Sequence, residues 1–98
     1  MSVIEKHFSV PGKSATELYQ VVDEKLDVLL TKLPLEGMQV ERQPQNHQVY
    51  LRSSAFNGSI QCMDGELRFE GKLSFLVRPF QSKVEAMIEQ MVERHFLT

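Results

Sequence analysis

The sequence is poor in cysteine, in basic charge and in long apolar runs, and each shortage excludes a class of protein. Cys62 is the one cysteine among 98 residues, so no disulfide can form within the chain and a reducing compartment is expected. The net charge of −2 argues against nucleic-acid binding. Glu5 and Lys6 interrupt the stretch where a signal peptide would be apolar, and no run approaches the ~20 residues of a membrane span. We therefore expect a cytoplasmic protein without a transmembrane segment.

Motifs that carry catalysis or bind metals are also missing. The chain has no glycine-rich phosphate loop, no nucleophile elbow and no HExxH motif. His7, His47, His95 and Cys62 lack the spacing of a zinc site. Cys62 shares the strand phase of Ile60, which turns its thiol toward the core and favours an inert role. The sequence thus predicts no catalytic residue, no metal and no cofactor.

The first part of the chain predicts one strand followed by one long helix. Residues 3–10 read as the strand. Ser14 and Glu17 have the spacing of a capping box, in which each side chain bonds a free backbone amide at the helix start. Apolar residues then recur at helical spacing until Pro34 and Gly37 end the helix. These apolar positions are Ala15, Leu18, Tyr19, Val22, Leu26, Leu29, Leu30 and Leu33.

The second part predicts four strands, because the apolar period changes from helical spacing to two. Three turns separate them: a polar turn over Gln43 to His47, then Asn57-Gly58 and Asp64-Gly65, whose chemistry is typical of hairpins. The last strand alternates as far as Val77, and Gly71 is expected to mark a bulge or bend within it. The predicted strands are Met38 to Arg42, Gln48 to Ser54, Ser59 to Met63 and a final strand of about 11 residues.

Arg78 and Pro79 end the last strand, and a final helix is expected from Ser82, where Glu85 completes a second capping box. The order is β-α-β-β-β-β-α in one domain over residues 1–98. We therefore predict an α+β two-layer sandwich, with an antiparallel sheet packed on two long helices. The predicted contacts of the last strand with the last helix join Leu67, Phe69, Leu73 and Phe75 to Val84, Ile88 and Met91.

Several segments in this order resemble a known family. The stretch Leu73–Phe80, which reads LSFLVRPF, is similar to a corner motif of the polyhydroxyalkanoic acid system family of small bacterial proteins. Gly58-Ser59-Ile60, Asp64-Gly65 and the start of the last helix over 83–88 also look like that family. The resemblance spans essentially the whole chain and implies an association with storage-polyester (polyhydroxyalkanoate) metabolism or granules. It also implies a reduced helix-grip fold, whose sheet wraps a C-terminal helix and often leaves a ligand cavity.

These observations leave more than one function open. The first is a non-enzymatic binding protein that acts at the polyhydroxyalkanoate granule surface or on a granule protein. The alternative is a helix-grip-type binder or enzyme for a small hydrophobic acyl ligand held between the sheet and the last helix, and a homodimeric scaffold is a third. The candidate ligand-binding residues are Arg78, Phe75, Phe80 and His7. Arg78 could hold an acidic head group, although a corner arginine that bonds loop carbonyls or a glutamate is more common.

The two helices carry the apolar surface that a binding protein would need. Val21 and Val28 widen the apolar stripe of the first helix beyond what one sheet face requires. Met87 and Met91 form an i, i+4 pair on the last helix. Methionine suits adaptable binding surfaces, but a core role is more common for such a pair. The first hypothesis therefore places an exposed apolar patch on the helices.

Overall fold

In the computed structural model, the chain forms a five-stranded antiparallel sheet with two helices packed on one face. The structure describes residues 2–32 and 37–96, and only the backbone of residues 2, 29, 32 and 75–77. The predicted order of elements and the α+β two-layer class are confirmed. The elements are β1 (Ser2–Ser9), α1 (Ala15–Lys32), β2 (Gln39–Gln43), β3 (Gln48–Arg52), β4 (Phe56–Met63), β5 (Glu66–Leu73) and α2 (Gln81–His95).

The beginning of α1 is fixed by the capping box that its sequence predicts. The Glu17 amide donates to Ser14 Oγ at 3.1 Å, and the Ser14 amide donates to Glu17 Oε1 at 3.3 Å. Asp64, in the turn between β4 and β5, accepts the Ala15 amide at 2.8 Å. The start of α1 is therefore joined to one end of the sheet.

The strands lie in the order β1-β5-β4-β3-β2, so β1 and β2 are the two edges. The pairing of β5 is regular through Gly71, which lies opposite Ile4 on one side and Gly58 on the other. The predicted bulge at Gly71 is wrong. Position 71 requires glycine for another reason, because the Phe56 ring occupies the place where a Cβ atom would lie.

The predicted turn at Asn57-Gly58 is also wrong, because both residues lie inside β4. The chain reverses just before β4, where Ser53 Oγ accepts the amides of Ala55 and Phe56 at 3.2 and 3.0 Å. Gly58 again lies beneath the Phe56 ring. The glycine serves close packing in the strand, and the serine makes the turn.

The corner between β5 and α2 differs from the prediction in two respects. Residues Phe75–Phe80 form a 3₁₀ helix, so β5 ends at Leu73 and does not reach Val77. The Ser82–Glu85 capping box does not form, because α2 begins at Gln81 directly after this turn. The Gln81 amide donates to the carbonyl of Arg78, so the preceding turn supplies an acceptor that a cap would otherwise provide.

The core fills the space between the sheet and the helices. Of the predicted contacts, Leu67, Phe69, Leu73, Val84 and Ile88 are buried, and Met91 packs against them half-buried. The predictions for Pro34 and for the Phe75 side chain lie outside the described residues. The buried apolar residues are Ile4, Val10, Leu18, Tyr19, Val22, Leu26, Val49, Leu51, Phe56, Ile60, Cys62, Leu67, Phe69, Leu73, Val84, Ile88, Val92 and Phe96.

An inward-pointing basic residue on each edge strand joins the sheet to a helix. Lys6 of β1 donates to Glu89 Oε1 of α2 at 2.7 Å, a hydrogen bond that raises the pKa of the Lys6 ammonium. Arg42 of β2 donates to Asp23 Oδ1 of α1 at 2.7 Å. Inward charges on edge strands also discourage pairing with another sheet. Each helix is thus held toward its own edge, and a gap remains between the two helices.

Candidate functional site: the inter-helix groove

A groove of about 80 Å³ lies between α1 and α2. It combines exposed and half-buried apolar side chains with basic residues. We refer to it as the inter-helix groove. Its lining residues are Lys25, Val28, Met87, Gln90, Met91, Arg94 and His95.

The apolar part of the groove comes from both helices. Val28 of α1 is 49% exposed. Met87 and Met91 are half-buried, one turn apart on α2. Met91 packs against the core, which is the more common role considered from the sequence, and both methionines line the groove. Methionine is enriched at protein interaction surfaces, where its flexible side chain adapts to a partner.

Lys25 and Arg94 are basic residues that line the groove, and Arg94 already has an interaction partner. Among residues 2–32 and 37–96, no carboxylate lies within ion-pair distance of the Lys25 ammonium. Asp23 and Asp27 pair with Arg42 and Glu89 pairs with Lys6, whereas Glu24, next to Lys25, is exposed and has no ion pair within the described chain. The groove of this protein of net charge −2 thus includes a lysine that forms no ion pair with a described carboxylate.

The cavity between the sheet and α2 is small. Its volume is about 30 Å³, and Ile4, Phe56, Phe69, Val84 and Ile88 are among the residues that line it. Ligand pockets are commonly about 300–1,000 Å³, and a single water needs about 10–15 Å³ of such space. This cavity has room for a water or two and none for an acyl ligand.

The residues predicted to bind a ligand fall in two separate places. Arg78 and Phe80 are exposed on the 3₁₀ turn before α2, and the Phe75 side chain there lies outside the description. His7 is on the outer face of the sheet, where its Nδ1 lies 3.2 Å from Glu66 Oε1. The β1 residue beside the end of β5 is Ser2, five residues or roughly 17 Å along the strand from His7. The structure does not bring His7 to the corner.

The described residues include no cluster of three or more His, Cys, Asp or Glu side chains suited to a metal ion. No described helix has the length and apolar character needed to span a membrane.

Near the β2 edge, His47 Nε2 lies 3.2 Å from Thr16 Oγ1, and the His47 ring meets the Tyr19 ring edge-on at 6.0 Å. Burial of Tyr19 raises the pKa of its phenol, and its hydroxyl has no hydrogen-bond partner within the described chain.

Cys62 is buried in the core, as its strand phase predicts, and is 4% exposed. Burial raises the pKa of its thiol from an ordinary 9.0 to about 12. We expect iodoacetamide at pH 8.5 to alkylate the folded protein at least tenfold more slowly than the urea-unfolded protein, because the thiolate is the nucleophile. Mass spectrometry over time would measure both rates, and equal rates would contradict the burial.

The raised pKa of the Cys62 thiol also makes the folded protein less stable as the pH rises above 9. Between pH 9 and 12 the unfolded chain releases a thiol proton that the folded chain retains. The contribution of the Cys62 thiol to the free energy of unfolding is therefore fully present below pH 9 and is lost as the pH rises toward 12. A Cys62→Ala variant would lack this component of the alkaline loss.

Comparisons with known proteins agree with this architecture. A family model described as "Putative polyhydroxyalkanoic acid system protein" matches residues 7–96. Among solved structures, a DUF4468 family protein from Bacteroides ovatus ATCC 8483 is similar, with a TM-score of 0.56 and 19% sequence identity. That match covers 71% of this chain and 52% of the other, so this chain spans about half of that protein's length; at this identity, it supports the fold alone. No curated protein matches the chain.

Proposed function

The chain belongs to the polyhydroxyalkanoic acid system protein family, and on that premise we propose that it is a non-enzymatic, cytoplasmic binding protein. It attaches to polyhydroxyalkanoate granules, at their surface or through a granule protein. The attachment site is the inter-helix groove, with Val28 at its exposed apolar side. The observation that carries the proposal is this exposed apolar surface on a layer that otherwise packs its apolar residues inward.

Physical chemistry supports an apolar attachment to a polyester surface. A chain of net charge −2 has little electrostatic attraction to a neutral polymer or to an anionic coat. Exposed apolar side chains release ordered water when they are covered, and each buried CH₂ contributes about 0.8 kcal/mol. Val28, Met87 and Met91 are placed to provide this contact together.

No observation of comparable weight favours the alternative, a helix-grip-type binder or enzyme for a small hydrophobic acyl ligand. It requires an acyl-sized cavity between the sheet and α2, where the space is about 30 Å³. Arg78 and Phe80 are exposed at the corner between β5 and α2, and their role as ligand contacts remains a prediction. An exposed arginine beside an exposed aromatic ring could extend a granule-binding surface.

A single valine in the groove tests the proposal. Val28→Glu should lower co-sedimentation with isolated polyhydroxyalkanoate granules at least fivefold at moderate salt, because a charge replaces an apolar contact. The melting temperature should change little, since Val28 is 49% exposed and glutamate favours a helix. Val3→Glu is the matched control, because Val3 is 54% exposed on β1, away from the helices.

Two results would reject the proposal. One is a parent protein found wholly in the soluble fraction with no granule protein recovered beside it. The other is equal loss of sedimentation in Val28→Glu and Val3→Glu, which would show that added negative charge acts anywhere on the surface. Val21 is a poorer test position than the sequence suggests, because it packs half-buried against the core and its substitution would also affect stability.

A further inference from the structure

We infer that the inter-helix groove binds the carboxylate end of a short hydroxyacyl chain. This inference rests on the proposed function and names the chemistry that the same groove recognises. Its basis is the placement of a half-buried lysine side chain beside apolar side chains and one amide, in a recess open to solvent.

Lys25 supplies the recognition of the carboxylate. It is half-buried on the side of α1 that faces α2, at i, i+4 and i+7 spacing with Val21 and Val28. Its ammonium has no carboxylate partner within the described chain. A hydrogen bond between an ammonium and a carboxylate is about twice as strong as a neutral one.

The size of the groove limits the length of chain that it can hold beyond the carboxylate. A volume of about 80 Å³ compares with about 10–15 Å³ of such space for one water. The groove therefore holds the first few carbons of a chain, against Val28, Met87 and Met91, and the rest of a longer chain extends into solvent. Gln90, which also lines the groove, offers an amide donor and acceptor for a hydroxyl or an ester oxygen.

Two sources share this chemistry: a free 3-hydroxy acid and the carboxyl end of a polyester chain. Both present a carboxylate, a short alkyl group and an oxygen on the third carbon. A linear trimer of 3-hydroxybutyrate with a free carboxylate separates them from each other. Binding of the trimer at least threefold more tightly than the monomer assigns the polymer end, while equal affinity assigns the free acid.

The methionines provide a direct readout in the full chain. We would label the methionine methyl groups with carbon-13 and titrate 3-hydroxybutyrate at pH 7. The signals of Met87 and Met91 should shift in a saturable manner, while those of Met38 and Met63, which do not line the groove, should stay in place. The methyl ester of 3-hydroxybutyrate is the control ligand, since it keeps the chain and removes the charge, and it should bind at least tenfold more weakly.

Lys25→Gln should weaken 3-hydroxybutyrate binding at least tenfold, whereas Lys83→Gln should leave it unchanged. Lys83 is exposed on α2 and does not line the groove. Equal affinity for acid and ester, or equal affinity in the two variants, would overturn the inference. So would the absence of methyl shifts in a protein that sediments with granules, a result that leaves the proposed function standing. Shifts in a protein that does not sediment would support the groove and reject granule attachment.

Discussion

Replacing Phe69 with alanine is expected to lower the free energy of unfolding by about 3–5 kcal/mol. Phe69 is 4% exposed on the inner face of β5, and its ring meets Phe8 edge-to-face at 5.7 Å and 86°. With Val84 and Ile88 it also lines the small cavity under α2, so truncation would enlarge an existing gap. A domain of this size has a total stability of about 5–15 kcal/mol. The loss would therefore remove a large share of the total stability.

Urea denaturation followed by circular dichroism would measure the change. Phe80→Ala is the matched control, because it removes the same atoms from a side chain that is 41% exposed. Its effect should stay within about 0.5 kcal/mol, as is usual for surface positions. Similar losses in the two variants would contradict the placement of Phe69 in the core.

The sequence predicts those parts of the fold that depend on local signals. The capping box of Ser14 and Glu17 forms because both partners lie within one helical turn. The apolar period of α1 selects its buried face, with Leu18, Val22 and Leu26 each nearly inaccessible to solvent. The order of the elements follows from where the period changes between helical spacing and two.

The wrong predictions concern residues whose role depends on contacts that form only in the folded chain. Asn57-Gly58 has the composition of a turn, but Gly58 is required because the Phe56 ring crosses it and Gly71. Residues 75–77 continue the alternation of β5, yet their backbone is a 3₁₀ helix that leads into α2. Gly58 lies two residues from Phe56 on β4, but its contact with the Glu70 carbonyl, and the contact of Gly71 with Phe56, exist only when β4 and β5 are paired.

The candidate site was predictable in part. Val28 is identified from the sequence as a residue that widens the apolar stripe, and it is exposed at the groove. Lys25 was missed because a lysine on an amphipathic helix is normally solvated. The signal that could have found it is its i+4 spacing from Val21 and i+3 spacing to Val28, which places it on the same side of α1. The ion pairs of Asp23 and Asp27 with Arg42, and of Glu89 with Lys6, could be identified only in the folded chain.

The paired glycines Gly58 and Gly71 provide the second large effect. A Cβ at Gly71 would lie 2.5 Å from Phe56 Cε2, and a Cβ at Gly58 would lie 2.6 Å from Phe56 Cζ. Overpacking of this kind typically lowers the free energy of unfolding by about 1–3 kcal/mol. This loss outweighs the stabilisation of roughly 0.4–1 kcal/mol that alanine gives over glycine by restricting the unfolded chain. We expect each Gly→Ala variant to lower the melting temperature by at least about 4 °C.

The two glycines should respond differently when Phe56 is shortened to leucine. At Gly71 the next obstacle is the Asn57 carbonyl at 3.5 Å, an ordinary contact, so Phe56→Leu should relieve most of the cost of Gly71→Ala. At Gly58 the backbone carbonyl of Glu70 remains at 2.8 Å, and the strand must shift whatever residue stands at 56. A double-mutant cycle measured by urea denaturation should therefore give a coupling of about 1 kcal/mol or more for Gly71 with Phe56, and a smaller one for Gly58. Equal couplings would show that the ring, and not the backbone of β5, determines both glycines.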